Sequence, residues 1–301
     1  MLNSEQIERY REDGFILIEN VFDGDAIAGL RRATDGLVER SRAVAANDDV
    51  FDLDPDHGPA TPIPRRIKNP TLHDATYDAA MRAPALLDIV AALLGPSIRF
   101  DHAKLNFKPP GGGGAVEWHQ DWAFYPHTND DILAVGVMLD DCAEDNGPLL
   151  AIPGSHKGPV WDHHAEGHFC GALDPAATDL DFAAARPLIG PAGSITIHHV
   201  RTVHGSTENH SDKPRRLLLL SYAATDAWPL MGSHDHRSMD VAEFDAKIVR
   251  GAPTLEPRLE PVPVRVPLPR PRHEGSIYAN QRPVEGRSFG KAMASGKAVA
   301  T

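Results

Sequence analysis

Apolar positions in the first part of the chain recur with the spacing of helices. The apolar residues Ile27, Leu30 and Leu37, for example, fall on one side of a helix with 3.6 residues per turn. The predicted helices cover residues 5–12, with Ser4 as N-cap and Gly14 as stop, a longer segment that begins after Asp23 or Asp25, and residues 84–94.

The pattern changes after residue 95 to short apolar or alternating runs separated by Gly, Pro, Asn or Asp. Such runs are typical of strands joined by turns. The predicted strands cover residues 98–107, 132–139, 149–152, 194–198 and 217–223. A short helix over 239–250, with Ser238 as N-cap, is predicted after them. The chain thus consists of helices first and a β-rich body second.

The C-terminal region differs from the rest in composition. Seven prolines lie between Pro253 and Pro271, which excludes a helix or a central strand there and predicts an extended arm. Residues 251–301 contain eight Lys or Arg and four Glu, so this segment is basic. We predict one domain over 1–286, with a helical part (1–95), a β core (96–225) and a C-terminal helix and arm (226–286), followed by a loose tail (287–301).

Charge and cysteine content exclude several classes of protein. The formal net charge of −12 disfavours binding to nucleic acid or an anionic membrane. No run of 18 apolar residues and no signal peptide is found. The two cysteines, Cys142 and Cys170, do not form a disulfide framework and suit a reducing cytoplasm. We expect a cytoplasmic protein with a small-molecule partner; the sequence leaves its oligomeric state open.

The pattern His-x-Asp/Glu, in which two side chains on one strand face can reach the same metal ion, occurs three times. It is found at His119-Gln120-Asp121, His164-Ala165-Glu166 and His210-Ser211-Asp212. The second lies in a polar, glycine-bounded run and the third in turn-forming sequence. Only the first lies among aromatic residues that can wall a dry pocket, so it is the strongest candidate.

A third ligand is expected from a later strand. Two His and one carboxylate on one side of an iron ion leave three positions for a co-substrate and oxygen. His204 ends a predicted strand, and Arg215 follows 11 residues later at the start of the next one. A buried guanidinium needs an anion, and a dicarboxylate co-substrate would pair with it. Because Arg216 points to the opposite face, only one of the two faces inward, and a structural ion pair stays open for Arg215.

Together these residues resemble the phytanoyl-CoA dioxygenase family of Fe(II)/2-oxoglutarate oxygenases. The resemblance extends from Glu5 to about Ala223. Its densest blocks are residues 104–110, 118–121, 146–149, 152–158, 204–206 and Arg215. The arrangement is also similar to that of ectoine hydroxylase.

The resemblance implies a mainly β fold with flanking α-helices. Its core would be a double-stranded β-helix (jelly-roll, cupin-like), with the N-terminal helices packed outside. It further implies an Fe(II) ion bound by His119, Asp121 and His204. The implied reaction uses 2-oxoglutarate and O2, with ascorbate as a supporting reductant, and releases succinate and CO2. We expect it to hydroxylate an unactivated C–H bond of a small organic substrate; desaturation, epoxidation and ring formation stay open as alternatives.

The resemblance also implies which residues contact the co-substrate. Arg215 and Ser206 would hold the far carboxylate of 2-oxoglutarate. Lys104 and Asn106 share one face of a strand and match co-substrate-contacting positions of relatives. Lys104 stands where relatives have an arginine or an apolar residue.

Three residues fall where relatives line the substrate pocket: His102, Trp122 and Tyr125. An aromatic pair with a histidine suits a compact polar or cationic substrate at least as well as a fatty chain. For Trp122 and Tyr125 simple loop packing stays an alternative. Arg65, Arg66 and Lys68 form a basic patch, and most such patches are solvated surface. A position of Lys68 at the pocket is the alternative that the resemblance allows.

Three other functions remain open at this point. The substrate could be an acyl-CoA, as the name of the family suggests. A metal-binding jelly-roll without turnover would need a defect in the ligands or the arginine, and the sequence has none. A Zn or Mn isomerase on the same fold would need neither Arg215 nor Ser206, so dependence on 2-oxoglutarate separates it from an oxygenase.

Overall fold

The structure, a computed structural model, describes residues 1–232, 240–273 and 276–289. The helices are α1 (Ser4–Asp13), α2 (Gly24–Ser41), α3 (Ala75–Met81), α4 (Pro84–Leu94), α5 (Val241–Ala246) and α6 (Ile277–Asn280). The strands are β1 (Phe15–Ile18), β2 (Phe51–Leu53), β3 (Pro64–Lys68), β4 (Ile98–Lys108), β5 (Val116–His119), β6 (Ile132–Met138), β7 (Leu149–Ala151), β8 (His164–Ala165), β9 (His168–Phe169), β10 (Arg186–Leu188), β11 (Ile195–His199), β12 (His204–Ser206), β13 (Arg215–Ala224) and β14 (Ile248–Arg250).

Two antiparallel sheets form the body. The large sheet has the order β1-β11-β6-β13-β4-β3-β2, and β14 also pairs with β4. The small sheet has the order β10-β7-β12-β5. Within the described residues neither sheet closes into a barrel. The predicted mainly β architecture with flanking helices is therefore confirmed.

Alternation along the strands of the large sheet separates a helix-covered face from an inner face. On β11, Ile195 and Ile197 belong to the main hydrophobic core, which includes Leu30 of α2 and Leu87 of α4. Their neighbour His198 faces the other way, toward His204 of the small sheet, with ring centroids 4.3 Å apart. Since successive side chains of a strand point to opposite faces, this pattern places polar groups between the two sheets.

The N-terminal part is less helical than the sequence predicted. Three strands of the large sheet, β1 to β3, lie in this part, although the sequence predicted only helices there. Helix α3 is a further helix that the sequence pattern did not predict. The strands are short, and β1 and β3 pair with strands far along the chain, β11 and β4, so local periodicity does not reveal them. Helix α1 is capped by Asn3 rather than Ser4, through a capping box with Gln6.

The C-terminal arm crosses the body without forming a helix or strand over 253–271. It is held by backbone contacts such as Phe169 N–H to the carbonyl of Pro269. Of the predicted loose tail, only 287–289 are described, and these are not loose: the Glu117 carboxylate accepts the backbone N–H groups of Ser288 and Phe289. The predicted N-cap Ser238 lies outside the described residues; Asp240 caps α5.

None of the helices in the described ranges combines the length and the apolar character that a membrane crossing requires.

Candidate active site

Two neighbouring strands of the small sheet bring His119 and His204 together. His119 ends β5, His204 begins β12, and the two residues are directly opposite each other in the antiparallel pair. Their ring centroids are 4.1 Å apart. Asp121 follows in the turn after β5, and ligand atoms of the three buried side chains all lie within 4.8 Å of one another. The three residues, separate in sequence, therefore form one candidate metal site.

Backbone carbonyls fix the orientation of both imidazole rings. Nδ1 of His119 lies 2.8 Å from the carbonyl of Glu117, and Nδ1 of His204 lies 2.9 Å from the carbonyl of Thr202. When Nδ1–H donates to a carbonyl, Nε2 carries a lone pair and is free to bind a metal. The two Nε2 atoms are thus prepared as ligands before any ion is present.

The protonation states also suit a metal. Burial lowers the pKa of His119 to about 4 and the pKa of His204 well below its usual value, so both rings are neutral near pH 7. Burial alone would raise the pKa of Asp121, but the ammonium of Lys104, 3.7 Å from Oδ1, and nearby imidazoles hold it well below its usual range. Metal binding then requires no loss of protons from these ligands.

A second group of buried cations lies at the start of β13. Arg215 pairs with Lys108 of β4, so both side chains share the inner face. Arg215 is 3% exposed, and its Nη2 donates to the carbonyl of Gly147. Its Nε is buried without a hydrogen-bond partner, and no carboxylate among the described residues forms an ion pair with it. This orphaned donor fits a carboxylate ligand.

The other residues predicted for the co-substrate lie on the same inner surface. Ser206 is buried on β12, two residues after His204. Lys104, Asn106 and Lys108 alternate along one face of β4. The side-chain oxygen of Asn106, however, accepts the Nε–H of Arg66 at 3.0 Å. Asn106 therefore already orients another residue, a partner that the sequence analysis did not anticipate.

A cavity of about 970 Å³ opens beside the candidate metal site. His119 and Asp121 line it, together with the predicted His102 and Tyr125, whose rings are 5.0 Å apart. Trp122 does not line it. The indole N–H of this fully buried residue donates to the carbonyl of Pro263 in the arm, which favours the packing role over substrate contact.

The described lining of the cavity is rich in positive charge. Its cations are Arg66, Lys68, Lys104 and Lys247, and its carboxylates are Asp49 and Asp121. Lys68 thus lines the cavity, as its alternative placement allowed, whereas Arg66 and Lys247 were not predicted as site residues. Arg66 lies on β3, in a region that was not recognised as a strand. Once β3 is known to pair with β4, register alone places Arg66 opposite Asn106.

Comparison with known proteins agrees with this arrangement. The family model described as Phytanoyl-CoA dioxygenase (PhyH) matches residues 10–217. The chain belongs to the phytanoyl-CoA dioxygenase family. The expected reaction class, an Fe(II)- and 2-oxoglutarate-dependent dioxygenase, is thereby confirmed.

Named relatives give the family match more detail. A Stutzerimonas stutzeri protein named probable alpha-ketoglutarate-dependent hypophosphite dioxygenase is 39% identical over 93% of this chain and 97% of its own length. An ectoine dioxygenase of Bordetella bronchiseptica is 26% identical over 73% of this chain and 75% of its own length. The crystal structure of EctD from S. alaskensis with bound Fe has a TM-score of 0.63 at 22% identity, covering 85% of this chain and 87% of EctD, and shows the shared jelly-roll fold.

Proposed function

We propose that His119, Asp121 and His204 bind one Fe(II) ion and that Arg215 binds the far carboxylate of 2-oxoglutarate. The observation that carries this proposal is the convergence of three ligand atoms within 4.8 Å in the same interior that holds a buried guanidinium with an unpartnered Nε. Two His and one carboxylate are typical ligands of non-haem Fe(II) oxygenases. An isomerase does not need 2-oxoglutarate, so dependence of turnover on this co-substrate separates the two functions.

The protein's own groups would prepare and enclose the reaction. When bound, iron and 2-oxoglutarate supply the oxidising chemistry, with succinate and CO2 as products. Lys108 lies opposite Arg215 in the β4–β13 pair, and its Nζ donates to the carbonyl of Thr207, the residue after Ser206. Lys108 and the buried hydroxyl of Ser206 on β12 would add further donors to the carboxylate site. Burial of these groups keeps water away and strengthens their interactions with an anion.

We further propose that the substrate is a compact anion. Four cationic side chains line the described part of the cavity, against two carboxylates, one of which is the proposed ligand Asp121. The relative named for hypophosphite acts, by that name, on a small anion. The cavity has room for a substrate larger than hypophosphite, so small organic acids with an oxidisable C–H bond fit as well.

The test is succinate release from 2-oxoglutarate with Fe(II) and ascorbate across a panel of substrates. Hypophosphite and small carboxylates or phosphonates are expected to stimulate release, whereas uncharged analogues of the same acids are not. An acyl-CoA is a further arm of the panel, because the family name keeps that substrate open. Stimulation by neutral analogues equal to that by the acids would contradict an anion-selective cavity.

Arg66→Met is expected to raise the KM for the preferred anion by roughly ten- to hundredfold, the effect of losing one charge-assisted hydrogen bond. Arg66 lines the cavity on β3, whereas Arg215 lies on β13, so the KM for the substrate should rise more than the KM for 2-oxoglutarate. The matched control is Arg9→Met, which removes an exposed arginine of α1. An unchanged substrate KM in the Arg66 variant would remove this residue from the substrate site.

We also propose that the protein is located in a reducing compartment such as the cytoplasm. Cys142 and Cys170 are both buried and unpaired, which supports it.

A further inference from the structure

A third histidine, His198, lies against the proposed iron ligands and is not explained by the proposed function. It is on the inner face of β11 and is 1% exposed. Its Nε2 lies 3.3 Å from Oδ2 of Asp121, and its ring centroid is 4.3 Å from that of His204. A neutral imidazole at this position can donate Nε2–H to the carboxylate.

The two oxygens of Asp121 have different neighbours. Oδ1 lies 3.8 Å from Nε2 of His119 and 3.7 Å from Nζ of Lys104. Oδ2 faces His198. The Tyr125 hydroxyl also faces the Asp121 carboxylate. Oδ1 therefore lies on the side of the carboxylate that faces the other proposed ligand atoms. Oδ2 lies on the side that faces strand β11.

We propose that His198 is a positioning residue that holds Oδ2 of Asp121 away from the ion, so that Asp121 binds through Oδ1 alone. A one-oxygen carboxylate and two imidazoles use three of six positions on iron and leave three for the two donor atoms of 2-oxoglutarate and for O2. A carboxylate that bound through both oxygens would remove one of these positions. The inference rests on the proposed iron site and adds the residue that sets its coordination number.

Packing alone does not account for a histidine here. Nδ1 of His198 is buried and has no hydrogen-bond partner in the described part of the chain. Burying an unpartnered polar atom is unfavourable, so an apolar side chain would fill this space better if filling were its only role. The hydrogen bond that His198 does make is to the proposed ligand, and outer partners of this kind orient metal ligands in many sites.

The experiment measures Fe(II) affinity of the metal-free protein by competition with a chelator, without oxygen. It also records the visible absorption of the complex with Fe(II) and 2-oxoglutarate. His198→Phe removes the donor, His198→Asn keeps an amide that is too short to reach Asp121, and His198→Gln restores a donor at similar reach. The matched control is His199→Phe, since His199 is the next residue and faces Asp130 instead, at 3.9 Å.

The Phe and Asn variants are expected to bind Fe(II) roughly ten- to hundredfold more weakly, with a shifted or weakened absorption band. His198→Gln and His199→Phe are expected to retain the wild-type affinity and band. Circular dichroism checks folding, and the Asn–Gln comparison decides the question if the Phe variant does not fold. Wild-type affinity and band in the Asn variant, or an equal loss in the Gln variant, would overturn the positioning role. Failure of the wild type itself to bind Fe(II) would instead overturn the proposed iron site.

Discussion

Asp121→Ala is expected to abolish iron retention and 2-oxoglutarate turnover together. The change removes one of three ligands and leaves the ammonium of Lys104, 3.7 Å away, without its carboxylate. A cation facing two imidazoles then disfavours a divalent ion at the same place. We expect a loss of iron affinity larger than the roughly hundredfold effect of losing an outer partner of a ligand. The measurements are iron content after gel filtration and succinate release.

The control for this substitution comes from the same sequence pattern. Asp212 belongs to another His-x-Asp sequence but is exposed in a turn, so Asp212→Ala is expected to retain iron and activity. His119→Ala should behave like Asp121→Ala, because His119 supplies another proposed ligand atom. Wild-type succinate release in Asp121→Ala or His119→Ala would remove the site assignment.

Arg215→Ala is expected to weaken 2-oxoglutarate binding by roughly 2–5 kcal/mol, which is about 30- to 5,000-fold in apparent affinity. The reason is that a carboxylate would be left in a buried site without its guanidinium partner. Iron affinity should change little, since Arg215 belongs to another strand and offers no ligand atom. The measurement is the apparent affinity for 2-oxoglutarate in succinate release at saturating iron.

Arg216→Ala is the matched control for Arg215→Ala. Arg216 is the next residue on β13, and its guanidinium pairs with Asp140 and Asp35 rather than pointing to the interior. It is expected to leave the affinity for 2-oxoglutarate unchanged, although the loss of two ion pairs can lower stability. If Arg215→Ala changes that affinity by less than a factor of two, another cation binds the co-substrate.

The sequence contained enough to predict the candidate metal site because His119 and His204 lie at the ends of strands with clear patterns, and Asp121 follows directly after the first of these ends. The His-x-Asp spacing brought His119 and Asp121 together without tertiary information. His204 needed only the expectation that a second strand end would lie beside the first, and the antiparallel pairing provides this. Alternation along β4 likewise places Lys104 and Asn106 on one face from the sequence alone.

The parts that sequence reasoning missed depend on contacts between distant segments. Arg66 faces the cavity because β3 pairs with β4, a pairing that no local pattern of residues 64–68 reveals. Trp122 packs in a buried cluster instead of lining the cavity, and its indole N–H donates to the carbonyl of Pro263, 141 residues later. His198 alternates with the core residues Ile195 and Ile197, and this alternation was the available signal that it faces the interior.

The measurement that tests the account most directly is an oxygen-free crystal structure of the protein with Fe(II) and 2-oxoglutarate. The account predicts one ion bound by Nε2 of His119, Nε2 of His204 and a single oxygen of Asp121, with the far carboxylate of 2-oxoglutarate against Arg215. An ion bound elsewhere, or an ion that is not coordinated by both imidazoles, would contradict the account.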